Sequence, residues 1–281
     1  MMKNDDLLVK HLDSLSSNLN ELVRTFERNT LLGLMKEKMH LHEIIPIVIE
    51  GLDCSGKETL AKKIYRTLKE KGELVHMQSF PDYNVDTGQR IYKYLREKHQ
   101  YPEYAFLSDM ILNRLGALVD IRDKYNTEEN TGKTLYLILD RFAMSNYAYN
   151  RGDDGFNSAF RDACIYESKV LFNLINPNQH GFSIIISYNK GRDEYAMLSD
   201  REMYNRSIAR HKEVLDSKAD KDTNETIEKQ IEISKFYDIP NVEKDFNIVN
   251  NYIRLSVEEA LDSNEKDYNM MLTGLVDTIK K

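Results

Sequence analysis

The stretch 44–59, IIPIVIEGLDCSGKET, constrains the fold more than any other part of this 281-residue chain. A β-rich apolar run ends at Gly51, and Gly56 and Lys57 come directly before a segment with helical character. Glycines between a strand and a helix let backbone N–H groups face a phosphate chain at a positive helix N-terminus. The context therefore predicts a phosphate-binding loop in which Lys57 reaches the β and γ phosphates, against the plainer alternative of a glycine-rich turn with an exposed lysine.

The loop departs from its usual pattern at Glu58, which stands where a Mg²⁺-binding Ser or Thr normally follows the lysine, and Thr59 comes one place late. A carboxylate at this place either binds Mg²⁺ directly or repels the phosphates. Cys54 lies inside the loop and is read as a small tolerated residue or as an oxidation-sensitive thiol.

Charge and composition exclude several classes of protein. The net charge is −7, with 30% charged and 41% hydrophobic residues. An acidic balance argues against non-specific nucleic-acid binding, which needs a basic surface. The two cysteines, Cys54 and Cys164, give no disulfide framework. No apolar run approaches the length of a membrane span. We expect a cytoplasmic protein that binds neither nucleic acid nor membrane.

Residues 1–42 precede the first strand and are expected to form an N-terminal helical extension. Its apolar side chains alternate spacings of four and three, as on one face of a helix: Leu8, Leu12, Leu15, Leu19, Leu22 and Phe26. This stripe either packs on its own domain, which the short run favours slightly, or pairs with a second copy. A homodimer is kept as the hypothesis for assembly.

Strands alternate with helices along the rest of the chain. Strands are predicted at 44–50, 74–80, 134–139, 182–188 and 246–249, and helices at 58–71 and 103–124 among others. This alternation predicts a three-layer αβα fold around a parallel five-stranded sheet. Because ligands bind at the carboxyl ends of such strands, Lys57, Tyr83 and Arg141 are expected to converge there.

Four ordered motifs carry a family resemblance. They are GLDCSGKET, FPDY with TG a few residues later, NR at 113–114, and DRFAMSNYAY at 140–149. Together they resemble the thymidylate kinase family of nucleoside monophosphate kinases, over roughly residues 44–250. The resemblance implies a P-loop kinase domain over 43–281 with a lid at about 189–206. It also implies ATP and Mg²⁺ on the donor side and dTMP as acceptor.

The resemblance implies a donor site formed by the loop and two lid arginines: Gly51, Asp53, Cys54, Ser55, Gly56, Lys57, Glu58, Thr59, Arg192 and Arg206. Asp53 is expected to approach the acceptor sugar and, with Asp140, to order the metal. A turn-capping role for Asp53 is the alternative. Since Cys54 occupies the slot where some members carry a catalytic arginine, the lid must supply one, and Arg201 is the first candidate.

On the acceptor side the resemblance implies these contacts: Phe80, Tyr83, Met110, Arg114, Arg141, Ser145, Asn146 and Tyr149. Arg141 is expected to grip the acceptor phosphate, although an Asp140–Arg141 pair tying strand to helix is the structural alternative. Arg114 is expected to contact the base, unless it is a solvated helix residue. Tyr149 is expected to exclude a ribose 2′-hydroxyl.

Two rival functions remain open at this point. Met110 stands where the family usually has phenylalanine, and no arginine lies between Gln78 and Gln89, which keeps another deoxynucleotide or a deoxynucleoside open as the acceptor. Glu58 and the leucine stripe are also compatible with a nucleotide-binding regulator that has lost catalysis.

Overall fold

The structure, a computed structural model, describes residues 39–53, 55–96, 103–150, 156–176, 178–187, 227–237, 239, 242–246, 249–256 and 265–279. Most of the predicted N-terminal extension and all of the predicted lid lie outside these residues. Within the part that is described, no helix has both the length and the apolar character that crossing a membrane requires.

Five parallel strands form one sheet, as predicted. They are β1 (Glu43–Gly51), β2 (Leu74–Ser79), β3 (Thr134–Asp140), β4 (Phe182–Ser187) and β5 (Asn251–Ser256). Their order across the sheet is β2-β3-β1-β4-β5, and every neighbouring pair is parallel. The central strand β1 is buried along almost all of its length, which explains its continuous apolar run.

The prediction of the last strand at 246–249 is wrong. Phe246 ends a short helix and packs its ring against Tyr147, with the ring centroids 5.3 Å apart. The edge strand follows at Asn251–Ser256, where it pairs with β4. A run of four apolar residues such as FNIV has no periodicity that separates a strand from a buried helix end.

Helices cover both faces of the sheet. In chain order they are α1 (Lys57–Glu70), α2 (Asp86–Arg96), α3 (Glu103–Tyr125), α4 (Ala143–Asn150), α5 (Phe156–Ile175), α6 (Ile227–Tyr237), α7 (Val242–Phe246) and α8 (Glu265–Ile279). The predicted helices at 58–71 and 103–124 are confirmed to within one residue at each end. Helix α5 had no counterpart among the predicted elements.

Alternate side chains of β1 enter two separate cores. Ile47 and Ile49 pack with α1 and α8 on one face. Val48 packs on the other face with residues of α3, α4, α5 and α6. Each fully buried aliphatic side chain of this kind contributes about 1.5–3 kcal/mol. The two cores confirm the three-layer αβα fold, and helix α1 therefore starts at a fixed place above the carboxyl end of β1.

The chain leaves β1 toward β2 on one side of the sheet and leaves β3 toward β4 on the other side. A crevice between the carboxyl ends of β1 and β3 results, because the two connections diverge at this point. Crevices of this kind are where open α/β sheets bind ligands. The polar residues that follow β1 and β3 therefore determine what this fold binds.

Candidate active site

The loop after β1 requires glycine at both of its ends. Gly51 has φ 145°, and a Cβ there would lie 2.4 Å from the carbonyl oxygen of Ile186 on β4. Gly56 has φ 93° and is the N-cap of α1. Both backbone conformations are rare for residues with a side chain. The loop therefore delivers the chain directly into the N-terminus of α1, where backbone N–H groups can bind an anion.

Lys57 is the first residue of α1 and is buried, with 6% of its surface exposed. Its Nζ donates a hydrogen bond to the carbonyl oxygen of Leu52 in the loop. Burial and the nearby guanidinium of Arg141 lower the pKa of Lys57 to about 8. Burial thus disfavours the charged lysine although nearby carboxylates favour it, and a phosphate group would add a further counter-charge.

The remaining loop residues divide into inward and outward groups. The Ser55 hydroxyl is buried and has no hydrogen-bond partner. The Glu58 side chain is 68% exposed and pairs with Lys62 one helical turn later, at 2.5 Å. Thr59 is also exposed. Cys54 lies outside the described residues. In this conformation the Glu58 side chain points away from the loop after β1.

Arg141 joins the end of β3 to the loop after β1. Its backbone is left-handed, with φ 70°, and its N–H donates to the carbonyl oxygen of Ile49 at 3.0 Å. Such a conformation costs a residue other than glycine about 1–3 kcal/mol and persists only where the surroundings enforce it. The guanidinium pairs with Asp53, and its Cζ lies 4.9 Å from the centre of the Tyr149 ring.

Asp53, Arg141 and Tyr149 form a closed triangle, because the Tyr149 hydroxyl accepts a hydrogen bond from the Asp53 N–H at 2.8 Å. Burial opposes the charge of Arg141, yet Asp53 holds the pKa of Arg141 well above its ordinary value. Burial and Asp53 raise the pKa of Tyr149, so its hydroxyl stays neutral. The arginine is therefore permanently cationic beside the loop.

Asp140, the last residue of β3, offers the oxygen best suited to a metal ion or its water. Its Oδ1 is buried and has no hydrogen-bond partner among the residues that the structure describes, and Oδ2 is 3.5 Å from the Ser79 hydroxyl. Mg²⁺ in nucleotide sites takes one or two carboxylates, several waters and substrate phosphates. The described residues contain no cluster of three or more metal-ligating side chains. Asp140 fits this role better than Asp53, which is paired with Arg141.

The FPDY loop after β2 is clamped by Asn113 of α3. The Asn113 side chain accepts from the Asp82 N–H at 2.8 Å, donates to the Asp82 carbonyl at 2.9 Å and lies 3.1 Å from the Thr87 hydroxyl. A Cβ on Gly88 would lie 1.8 Å from the Asp82 carbonyl oxygen. Thr87, Gly88 and Asn113, which belong to the recognised motifs, therefore hold this loop in its conformation.

The loop places its two aromatic residues differently. Phe80 is 4% exposed and packs against Phe142, with the ring centroids 6.3 Å apart. Tyr83 is 38% exposed and meets Tyr92 edge to face at 5.8 Å. Phe80 thus belongs to the hydrophobic core, whereas Tyr83 lies at the surface.

Arg114 of α3 forms a buried ion pair with Glu167 of α5. Its Nε and Nη2 bind the two carboxylate oxygens at 2.5 and 2.9 Å, and both side chains are 2% exposed. Burial raises the pKa of the Glu167 carboxyl although Arg114 counteracts this. Met110, one turn earlier on α3, is also buried. Arg114 is therefore not a solvated helix residue, and its contact with a base stays a prediction.

Ser145 and Asn146 of α4 both point into the interior. The Ser145 hydroxyl donates to Glu50 of β1, and it lies 3.0 Å from the Tyr237 hydroxyl. The Asn146 amide is 3.9 Å from the Cys164 sulfur, and its oxygen accepts from Asn150 at 3.0 Å. Their proposed contacts with a nucleoside remain untested.

Comparison with known proteins agrees with this geometry. The family model described as Thymidylate kinase matches residues 49–178. The match confirms the resemblance to the thymidylate kinase family. The thymidylate kinase of Danio rerio is 28% identical over 136 residues, which cover 47% of this chain and 61% of that protein. Protein 251L of Invertebrate iridescent virus 6, whose name provisionally calls it a thymidylate kinase, is 28% identical over 226 residues. These residues cover 79% of this chain and 92% of that protein.

The chain spans only part of the length of the first curated relatives it matches. The matched share is 61% of the protein from Danio rerio, 49% of that from Caenorhabditis elegans and 37% of that from Arabidopsis thaliana. A solved thymidylate kinase structure from Candida albicans aligns with 83% of this chain and 93% of its own, with a TM-score of 0.48 and 16% identity.

The match to the Thymidylate kinase family model ends at residue 178, before the predicted lid. Arg192, Arg201 and Arg206 lie in residues 188–226, outside the described part of the chain. Their roles as ATP-binding or catalytic residues stay predictions. Within the described residues, the cations that face the loop after β1 are Lys57 and Arg141.

The sequence analysis did not identify three residues as partners in this candidate site: Glu50, Asn113 and Glu167. Glu50 had a signal, because it is the one charged residue within the apolar run of β1. Asn113 was part of a recognised motif without an assigned task. Glu167 had no signal, since it lies on α5, which was not predicted.

Proposed function

We propose that this chain is a Mg²⁺-dependent thymidylate kinase that transfers the γ-phosphoryl group of ATP to dTMP, giving ADP and dTDP. The observation that carries the proposal is the convergence of Lys57, Arg141, Asp53 and Asp140 at the crevice between β1 and β3, in a segment that matches the family. Phosphoryl transfer needs in-line positioning and charge neutralisation more than covalent chemistry, and two cations beside an anion-binding loop supply both.

On the donor side, the loop amides and Lys57 would bind the β and γ phosphates of ATP. Lys57 would exchange its hydrogen bond to the Leu52 carbonyl for a phosphate oxygen. Asp140, through its buried unpaired Oδ1, would hold Mg²⁺ or one of its waters. When bound, Mg²⁺ would supply charge neutralisation for the polyphosphate.

On the acceptor side, Arg141 would hold the phosphate of dTMP. Arginine has five N–H donors, and one nitrogen of Arg141, Nη2, is already engaged by Asp53. The other donors would orient the acceptor oxygen toward the γ phosphorus. The bond from that phosphorus to the β–γ bridging oxygen then breaks as the bond to the acceptor oxygen forms, and ADP leaves with the bridging oxygen. Arg201 of the lid is proposed to stabilise the transferring group, and lid closure to exclude water.

A second candidate keeps the chemistry and changes the acceptor to another deoxynucleotide. Arg90, the first arginine after the FPDY loop, pairs with Asp109 of α3 at 2.5 and 2.8 Å instead of facing the crevice alone. Met110 in place of an aromatic residue gives the base a polarizable but flexible contact. These two features favour a looser acceptor preference than the family motif implies.

The regulator hypothesis draws less support from the site. Its main argument was that Glu58 repels the phosphates, yet this carboxylate is exposed and paired with Lys62. We also propose a cytosolic location, in keeping with two cysteines of which Cys164 is buried and unpaired, and a homodimer built on the leucine stripe. A monomer mass in light scattering would contradict the dimer.

The decisive assay measures ADP formation from ATP and Mg²⁺ with dTMP, dUMP, dCMP, dGMP, dAMP and thymidine as separate acceptors. The proposal expects the highest kcat/KM with dTMP. A higher value with another acceptor would move the assignment to the second candidate. ATP binding without turnover on any acceptor would contradict both candidates and favour the regulator.

A further inference from the structure

Glu50, the residue before Gly51 on β1, is a fully buried carboxylate in the central strand of the sheet. Carboxylates are rarely buried to this degree unless several hydrogen bonds compensate for lost water. The side chain points to the face of the sheet that carries α4, where it meets the backbone directly after Arg141. The proposed mechanism gives Glu50 no task of its own.

The Glu50 carboxylate caps helix α4 from a different element. Its Oε1 accepts the N–H groups of Phe142 at 3.0 Å and Ser145 at 3.3 Å, and its Oε2 accepts the Ser145 hydroxyl. The Ser145 N–H belongs to the first turn of α4 and the Phe142 N–H to the residue just before that helix, and N–H groups at such a helix start have no backbone partner within the helix. A carboxylate that accepts them also interacts favourably with the positive helix N-terminus.

Arg141 is therefore tied on both sides to consecutive residues of β1. Its own N–H donates to the Ile49 carbonyl at 3.0 Å, and the next N–H, that of Phe142, donates to Glu50. Between these two bonds the backbone of Arg141 is left-handed, at φ 70°. This conformation turns the chain sharply at the end of β3, and the guanidinium then meets Asp53 in the loop.

A second layer holds the carboxylate itself. The Ser145 hydroxyl that binds Glu50 lies 3.0 Å from the Tyr237 hydroxyl at the end of α6. Arg254 of β5 fixes that helix end by donating to the Tyr237 carbonyl at 2.8 Å. Burial raises the pKa of Glu50, which the Ser145 hydrogen bonds counteract. The network thus extends from β5 through α6 to the backbone beside Arg141.

We propose that Glu50 is a positioning residue of the kinase reaction, which sets the orientation of the Arg141 guanidinium toward the acceptor phosphate by fixing the backbone at Phe142 and Ser145. This inference rests on the proposed function, because it assigns Arg141 to the acceptor. This role requires a side chain at residue 50 that is long enough to place an acceptor oxygen beside the Phe142 and Ser145 N–H groups. It does not require a negative charge there.

Two conservative variants separate the effect of side-chain length at residue 50 from the effect of its charge. Glu50→Gln keeps the length and an acceptor oxygen and loses the charge, whereas Glu50→Asp keeps the charge and withdraws the oxygens from the Phe142 and Ser145 N–H groups. We expect Glu50→Gln to stay within about fivefold of the unaltered protein in kcat/KM for the acceptor. We expect Glu50→Asp to lose about 10²-fold, the usual effect of an ångström-scale misplacement.

The kinetic signature is a rise in the KM for dTMP with the KM for ATP unchanged, because Lys57 and the loop are not moved. The matched controls are Glu43→Gln and Glu43→Asp, at the other end of the same strand, where the carboxylate is 2.9 Å from His180. Both controls are expected to leave the kinetics unchanged. If Glu50→Asp retains more activity than Glu50→Gln, the role is electrostatic and the inference is overturned.

A readout without catalysis keeps this test separate from the proposed function. Amide hydrogen exchange, followed over the peptide from Arg141 to Asn150, should speed up in Glu50→Asp and remain slow in Glu50→Gln. If the unaltered protein phosphorylates no acceptor but this exchange pattern holds, the proposed function fails while the positioning of the Arg141 backbone stands. Equal exchange in the two variants would overturn the inference whatever the activity.

Discussion

The two halves of the crevice are held in different ways. The phosphate side, which comprises the loop after β1 and the corner Asp140–Arg141, is the half proposed to hold the phosphates of both nucleotides, and its side chains are attached to the ends of central strands through the backbone. The acceptor side, which comprises the FPDY loop with α3 and α5, is the half proposed to hold the nucleoside of the acceptor, and its shape depends on side chains that pair across distant segments, such as Asn113 and Glu167. The first half is thus encoded by local motifs and the second by tertiary partners.

This difference implies that the two halves fail differently when altered. A change on the phosphate side should reduce chemistry and leave stability nearly intact, since the strands do not depend on these side chains. A change on the acceptor side should loosen packing or acceptor binding first. The following variants test this contrast, beginning with the largest expected effect.

Arg141→Ala should lower kcat/KM with dTMP by about 10³-fold, the lower end of the range for an arginine that stabilises a transferring phosphoryl group, because Arg141 is proposed to hold the acceptor phosphate beside that group. Arg141→Lys should recover only part of this, because an ammonium lacks the planar fork of donors. Steady-state kinetics with dTMP as the varied substrate measures both. The control Arg161→Ala removes an exposed arginine paired with Asp245 and should leave the kinetics unchanged. A loss below tenfold for Arg141→Ala would remove Arg141 from the mechanism.

Glu167→Ala should destabilise the protein by about 3–5 kcal/mol, because it leaves the buried Arg114 guanidinium without its partner. The double variant Arg114→Leu with Glu167→Leu should recover much of that free energy of unfolding, since no buried charge remains. Urea unfolding gives the values. Asp245→Ala, which breaks an exposed pair, should cost less than about 1 kcal/mol. A similar cost for Glu167→Ala would contradict the buried pair.

Asn113→Ala should raise the KM for dTMP by about tenfold, because the FPDY loop loses two backbone hydrogen bonds worth about 1 kcal/mol each and shifts from its place beside the acceptor. The KM for ATP should not change. Asn130→Ala is the matched control, since Asn130 also bonds a backbone carbonyl, that of Tyr125, at 3.0 Å but lies in a turn away from the crevice. An equal rise in both Michaelis constants would argue against the loop as an acceptor element.

ATP affinity should decline above about pH 8, where the free protein loses the Lys57 proton. Polyphosphate binds the charged lysine, so binding above this pH must take up a proton. The dissociation constant should then rise by about tenfold per pH unit, which corresponds to one linked proton. Titration calorimetry across pH 7 to about 10 measures the slope. Lys57→Arg does not titrate in this range and should remove the break, whereas an unchanged break would assign it elsewhere.

Much of the phosphate side was predictable because its determinants are short in sequence. The loop from Gly51 to Lys57 lies between a strand and a helix, and its glycines are visible in the sequence. The corner Asp140–Arg141 directly follows an apolar strand, which the sequence also indicates. The partner of Arg141 was not predictable, since Asp53 lies 88 residues away. Likewise 95 residues separate Glu50 from Ser145, and only the folded sheet brings them together.

The acceptor side was predictable as a set of motif letters and not as contacts. Asn113 and Gly88 have no chemistry that a sequence pattern reveals, because their task is to hold the Asp82 backbone. Arg114 was expected to contact a base, and its Glu167 partner lies on a helix that was not predicted. The last strand was misplaced because FNIV is apolar without periodicity. The sequence thus does not reveal which side chains from distant segments contact each other in the fold.

The central claim is that the two halves meet around one transferring phosphoryl group. The most direct test uses ATP labelled in its γ-phosphoryl group, with Mg²⁺ and dTMP, and follows the label by chromatography. The account predicts that the label appears in the β position of dTDP, in amounts equal to the ADP formed. Label released as inorganic phosphate, or retained in ATP despite bound dTMP, would contradict it.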